Sequence, residues 1–148
     1  MADNFAQQVK AFRDKALSNV DAVVQDITVS VATSLVEKSP VDTGQLRANW
    51  QFGAGVIPDG EFPDTDPEGE ETIEALTEAI KDTPAGGVTY LVNNLPYAPV
   101  IEYGLYPNPP KRPTGKTENG FSTQAPAGMR DITVMEASSY QGAAIQNL

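Results

Sequence analysis

Three short stretches of this chain hold residue types that could do chemistry. The first is Asp42-Thr43-Gly44, inside the run SPVDTGQLRANW at 39–50. Asp-Thr-Gly can hold the reactive carboxylate of an aspartic protease, a mechanism that needs two carboxylates sharing one proton. A chain with one copy would have to dimerise, and the flanking strands of a protease lobe are missing here. Turn chemistry accounts for the same residues: Asp42 can close an Asx-turn onto backbone N–H groups, and Gly44 supplies permissive dihedrals. The expectation is a structural corner.

The second stretch is Asp64, Asp66, Glu68 and Gly69, which match the first half of a calcium loop. Such a loop needs a bidentate Glu at its twelfth position. That position is Ala75, and Pro67 interrupts the loop, so a solvated acidic loop is expected. The third is Gly115-Lys116-Thr117, which resembles the end of a phosphate-binding loop. Its first glycine would fall at Pro110 and no strand leads in, so that reading fails. Lys111, Arg112 and Lys116 could touch phosphates, but three charges give a weak electrostatic term. They read as a solvated loop or a contact to an acidic protein partner. Arg47 and Glu102 could pair across elements. Trp50, Tyr90, Tyr97, Tyr103 and Tyr106 could anchor an interface, with Trp50 expected in the core.

The chain has no His and no Cys. That excludes disulfides, thiolate zinc sites, cysteine nucleophiles and the Ser-His-Asp triad. No metal or cofactor is implied. An enzyme would have to work with Asp and Glu alone, and nothing pairs carboxylates convincingly, so no enzymatic activity is expected. Net charge is −10, and it is uneven. Residues 59–82 hold 10 acids and 1 base, which is −9 and leaves −1 for the remainder. The acidity belongs to one segment. No run is apolar enough to span a membrane, and the start lacks the pattern of a signal peptide.

These residues need elements to position them. From Phe5 through Val9, Phe12, Ala16, Val20, Val23, Ile27 and Val31 to Leu35, apolar residues recur every three or four, which predicts one helix over 4–38. Asp3 or Asn4 would cap it, and Ser39-Pro40 would end it. At 1.5 Å per residue it would be roughly 50 Å long, far more than a domain of this size spans. It must kink, or overhang and be covered by a neighbouring subunit. Leu46, Ala48, Trp50 and Phe52 alternate with polar residues and predict a strand that could run to Ile57. Residues 58–70 read as an exposed loop. Residues 71–82 read as a short helix on Ile73, Leu76 and Ile80, and 88–94 as a second strand. Residues 96–104 read as a helical turn ending at Gly104. Residues 105–128 read as a long proline-rich loop, and the segment after Met129 as helix or strand. The fold class is α+β: a long N-terminal helix packed on a small antiparallel sheet, with one or two short helices and long loops. It reads as a single domain over 1–148, with an acidic insertion at about 58–87 and a proline-rich loop at about 105–126.

The order of the pieces carries more than any one of them. A long amphipathic helix leads into SPVDTGQLRANW; NNLPYAPVIEYG (93–104) and STQAPAGM (122–129) follow. Together they resemble the neck or tail-completion proteins of tailed double-stranded-DNA phages, the head–tail joining family related to the lambda-like minor tail protein Z. Asp42, Thr43, Gly44, Arg47 and Trp50, with Pro96, Tyr97, Ala98, Glu102, Tyr103 and Gly104, carry the resemblance. It implies structural rather than catalytic roles for them. It also implies a ring of copies, six-fold favoured, in the virion neck, assembled in the host cytoplasm. The implied partners are the head connector or stopper protein and the tail tube or tail terminator protein. DNA would pass the lumen without sequence-specific binding, and Glu68, Glu70, Glu71, Glu74 and Glu78 could line it. Two other functions compete: a tail terminator capping the tube, and an acidic DNA mimic that inhibits a host protein. The decoy reading draws on the acids at 59–82, although a mimic spreads its acids over its whole surface.

Overall fold

Apolar residues three and four apart wind into α1 (Ala2–Lys38), a continuous 37-residue helix. The computed structural model describes residues 2–148, with side chains from Asn4 onward. The helix begins before the expected caps. Asn4 lies inside it and accepts from Gln8 Nε2 at 3.4 Å; the Asp3 side chain lies outside the described residues. The helix stops at Ser39, where Pro40 disfavours another helical residue. Ser39 is buried, and its Oγ donates to the Leu35 carbonyl at 2.7 Å. Of the two expectations for so long a helix, the overhang holds. Residues 4–18 are all exposed, while Ala32, Leu35 and Val36 are buried.

After the corner, Gln45–Ala48 forms one helical turn, α2, and the strand β1 covers only Trp50–Ala54. The expected strand therefore loses Leu46 and Ala48 at its start and never reaches Ile57. Alternation over four residues does not separate one helical turn from a strand. The Ala48 N–H accepts the helical choice by donating to the Gly44 carbonyl at 3.1 Å. α3 spans Glu70–Ile80 and buries Thr72, Leu76 and Ile80. β2 (Thr89–Asn93) pairs antiparallel with β1, from Trp50 opposite Asn93 to Ala54 opposite Thr89.

α4 (Ala98–Tyr103) ends at Gly104, whose φ of 64° is the left-handed C-terminal cap expected of it. A side chain there would run into the Phe121 ring. The loop beyond is not structureless, as expected, but folds back as a small hairpin of β3 (Thr117–Glu118) and β4 (Phe121–Ser122). Asn119 and Gly120 make its turn, with φ of 53° and 85°. Asn-Gly is a strong signal for a two-residue hairpin loop. α5 (Arg130–Gln146) is a helix and packs along α1.

The architecture is α+β, with α1 lying over the two-stranded sheet and the short helices. One core cluster joins Ala32 and Val36 of α1 to Leu76 and Ile80 of α3, with Phe52 and Leu91 of the sheet against it. The other gathers Leu46, Leu95, Ala98, Ile101, Ala125 and Met129. Trp50 packs against both, in the core as expected.

Gly44 sits where two backbones nearly touch. Its φ is 91°, and a Cβ there would lie 2.7 Å from the Asp66 carbonyl carbon and 2.8 Å from Pro67 Cα. Strain at a left-handed residue adds to the cost of overpacking. Gly44→Ala is expected to destabilise the protein by about 2–5 kcal/mol in urea unfolding. A loss below about 0.5 kcal/mol, the range of ordinary surface substitutions, would mean that the corner does not need a glycine.

Candidate functional site

The motif residues converge on two joints and one outer face. At the first joint Arg47, on α2, spends its guanidinium on backbone carbonyls. Nε donates to Ser39 O at 3.0 Å, Nη2 to Glu37 O at 3.0 Å and Nη1 to Pro67 O at 2.8 Å. Two of those carbonyls close the C-terminus of α1, and the third belongs to the approach to α3. Trp50 Nε1 donates to Ser39 Oγ at 2.8 Å and fixes the same corner from the sheet side. The Arg47–Glu102 pair that the sequence left open does not form, because both groups are committed to backbone elsewhere.

Asp66 completes this joint and corrects the reading of 58–70 as wholly exposed. It is buried; Oδ1 accepts the Gly69 N–H at 2.9 Å, and Oδ2 accepts the Thr72 N–H and hydroxyl, each at 2.8 Å. The carboxylate caps the start of α3, where the helix dipole favours an anion. Burial pushes its pKa up. The two Thr72 bonds, the Gly69 N–H and the Arg47 charge outweigh that, and the pKa lies below the usual carboxylate value. Among the described residues no group of three or more His, Cys, Asp or Glu side chains is arranged to hold a metal ion.

At the second joint Glu102, buried on α4, caps α5. Its Oε2 accepts the N–H groups of Met129 and Arg130, each at 2.8 Å, and Oε1 accepts that of Asp131 at 3.0 Å. Ala98 is buried beside it in the core. A third tie, unforeseen from the sequence, runs between the joints. Gln124 Oε1 accepts the Val41 N–H at 2.9 Å while its Nε2 donates to the Val41 carbonyl at 3.0 Å.

The outer face holds Asp42, Thr43, Pro96, Tyr97 and Tyr103, all exposed. Asp42 does not close the Asx-turn expected of it. Its carboxylate lies 3.7 Å from Lys116 Nζ, and Thr43 Oγ1 takes the Gln45 N–H at 3.2 Å instead. An exposed pair of this kind contributes little. Asp42, Tyr97, Tyr106, Lys116 and Gln124 line a cleft of about 410 Å³. Tyr103 lies under the Arg130 guanidinium, 5.6 Å from ring centre to cation, a weak attraction at an exposed site. Lys111 and Arg112 are exposed.

α3 sorts its charges by face. At 100° per residue, Glu70, Glu71, Glu74 and Glu78 fall on one side, opposite the buried Thr72, Leu76 and Ile80. All four glutamates are exposed, as is Glu68 in the preceding loop. Glu78 pairs with Lys81 at 2.7 Å.

Sequence reasoning missed three structural polar residues. Asp66 stands ahead of α3 with Gly69, not Glu or Gln, three residues on at the position a capping box needs, so no standard cap pattern marks it. Gln124 falls inside STQAPAGM, one of the runs that carry the resemblance. Nothing in the local pattern marks Ser39 as the acceptor for Trp50.

Comparison of the chain with protein-family models, with curated proteins and with solved structures returned no match. No helix among the described residues is long and apolar enough to cross a membrane.

A carboxylate whose folded pKa is depressed stabilises the fold above its unfolded value, and that stabilisation is lost as pH falls through the folded value. Asp66→Asn should therefore cost about 1–2 kcal/mol near neutral pH and progressively less below about pH 4, the unfolded carboxylate value. Urea unfolding across that range checks it. A cost independent of pH would remove the charge from the explanation.

Proposed function

We propose that this chain is a structural virion protein of a tailed phage. In this reading copies form a ring, six-fold favoured, at the head–tail interface. The ring completes the tail and joins it to the DNA-filled head. The head connector or stopper lies on one side and the tail tube or terminator on the other. The observation that carries the reading is the convergence of the three motif runs. Ser39–Trp50, Asn93–Gly104 and Ser122–Met129 are far apart in sequence, yet they supply the core cluster around Leu46, Ile101 and Met129. Their polar residues Arg47, Glu102 and Gln124 are bonded to backbone groups. Residues used in this way build a scaffold.

The overhang of α1 supports the same reading. A monomer gains nothing by exposing Phe5, Val9 and Phe12, which are 69%, 52% and 77% exposed; a ring gives that helix a neighbour. The acidic face of α3 would line the lumen, where like charge keeps DNA from sticking. No enzymatic step, metal or cofactor enters this reading.

The test is electron microscopy of lysates from a phage in which codon 50 of this gene is a stop. DNA-filled heads beside separate tails are expected. Tails of irregular length would move the protein to tail termination. Normal infectious particles would overturn the neck assignment and turn attention to the acidic-decoy function.

A further inference from the structure

We propose that the overhanging half of α1 docks on residues 56–62 of a second copy of this chain. The inference takes its setting from the ring reading above, but it stands on the two surfaces themselves.

The first surface is a stripe. Phe5, Val9, Phe12 and Ala16 are spaced four, three and four apart, the seam of a helix that packs on a partner. At 100° per residue they fall within about 60° of one another. None of the described residues covers them: residues 4–18 are exposed throughout. The residues bordering the stripe are Ala6 and Arg13 on one side and Gln8 and Lys15 on the other, cationic or neutral with no acid. Among the described residues the ion-pair partner of Arg13 is its neighbour Asp14, at 3.2 Å. A second copy of the same stripe brings no acid to these cations, so charge complementarity favours an acidic surface over helix-on-helix pairing. The surface that suits this stripe is apolar and acidic.

The chain itself offers one. Val56, Ile57 and Phe62 are exposed apolar residues, at 73%, 59% and 44%, interleaved with the exposed acids Asp59 and Glu61. Neither acid makes an ion pair among the described residues. The backbone between them is held from beneath. Asn94 Nδ2 donates to Pro58 O at 3.2 Å, Gln51 Nε2 donates to Gly60 O at 3.0 Å, and Asn49 Oδ1 accepts the Phe62 N–H at 2.8 Å. A segment fixed by its backbone presents its side chains without further ordering, which lowers the cost of binding. Both surfaces stand exposed in the same molecule, so one copy does not satisfy itself. Stripe and segment are different patches. The contact is therefore heterologous and leaves each copy with a free stripe or a free segment for the next, until the rotation closes.

The absence of native cysteine makes the test clean. Full-length Phe12→Cys and Ile57→Cys chains are prepared separately, mixed, and treated with a short bis-maleimide cross-linker. Cross-linked species are resolved by mass. Mixed dimers are expected in at least tenfold excess over either homodimer, and Arg13→Glu in the Phe12→Cys chain is expected to reduce them at least fivefold. Both positions are exposed, so folding is expected to survive, as circular dichroism will verify. Val9→Cys with Val56→Cys repeats the experiment at an independent pair. Dominant Phe12→Cys homodimers would overturn the inference in favour of helix-on-helix pairing. A statistical mixture, or no cross-link at either pair, would overturn it outright. The stop-codon phage gives the separate answer: detached heads and tails without cross-linking would leave the joining role standing and remove this contact.

Discussion

The fold turns on one guanidinium. Arg47 stands on a helical turn of four residues that has too few internal hydrogen bonds to hold itself. By donating to Glu37, Ser39 and Pro67 carbonyls it ties the end of α1 and the approach to α3 to one planar group. The end of a helix leaves its last carbonyls without partners, and Arg47 supplies donors to two of them, at the exposed Glu37 and the buried Ser39. Lysine would not replace this arginine, because a single ammonium cannot aim donors in several fixed directions from one plane. Gly44 answers the same constraint from the other side. The strand-like approach to α3 can come close enough for Arg47 to reach Pro67 only because no side chain stands between Gly44 and residues 66–67.

Two carboxylates repeat this logic. Asp66 closes the start of α3 and Glu102 closes the start of α5, each with three donors. They separate the structural acids from the rest. Most of the negative charge at 59–82 sits on exposed side chains that the fold does not use, and the four glutamates on one face of α3 are among them. The network between α1 and α5 is of a different kind. Lys38 reaches both Ser34 Oγ at 2.7 Å and Glu136 Oε2 at 2.9 Å, and the Lys38 bond followed by that from Tyr140 lowers the Glu136 pKa. That bridge is exposed, so α1 and α5 are held chiefly by packing around the buried Ser34–Thr133 contact.

Periodicity made the long elements legible. The apolar spacing of α1, the opposed faces of α3 and the glycine after α4 all translate directly into what the chain does. The short elements did not read as well. Leu46 and Ala48 alternate like a strand, but one turn of helix satisfies the same four residues, and the hydrogen bond from Ala48 to Gly44 decides between them. The β3–β4 hairpin went unread within the expected loop: Asn119-Gly120 is a turn signal, but the two-residue strands are too short to show a period. Polar roles were the least readable. Arg47 and Glu102 both looked like ion-pair partners, because formal charge says nothing about the backbone groups a fold will leave unpaired. Asp42, the residue that first suggested chemistry, turned out to stand in solvent, while the undistinguished Gln124 holds the corner.

α1 is thus two helices in energetic terms, though one in geometry. From Asp21 onward it is tied down: Asp21 Oδ1 accepts the Ala85 N–H at 2.8 Å, Gln25 Nε2 donates to Thr83 O at 2.9 Å, and Val36 is wholly buried. Among the described residues the first half makes intrahelical hydrogen bonds alone, and a helix of about 12–15 residues without tertiary packing is marginal in water. Its inner half supplies the nucleus, which removes the costly first step but not the fraying of the free end. Apolar side chains on that end add nothing to the monomer's stability, since Phe5 and Phe12 stay in water. Under the proposed docking they would contribute once a second surface covers them. The residues that the single copy leaves exposed would then be the ones a neighbour buries, and the stability of the first half of α1 would be coupled to assembly.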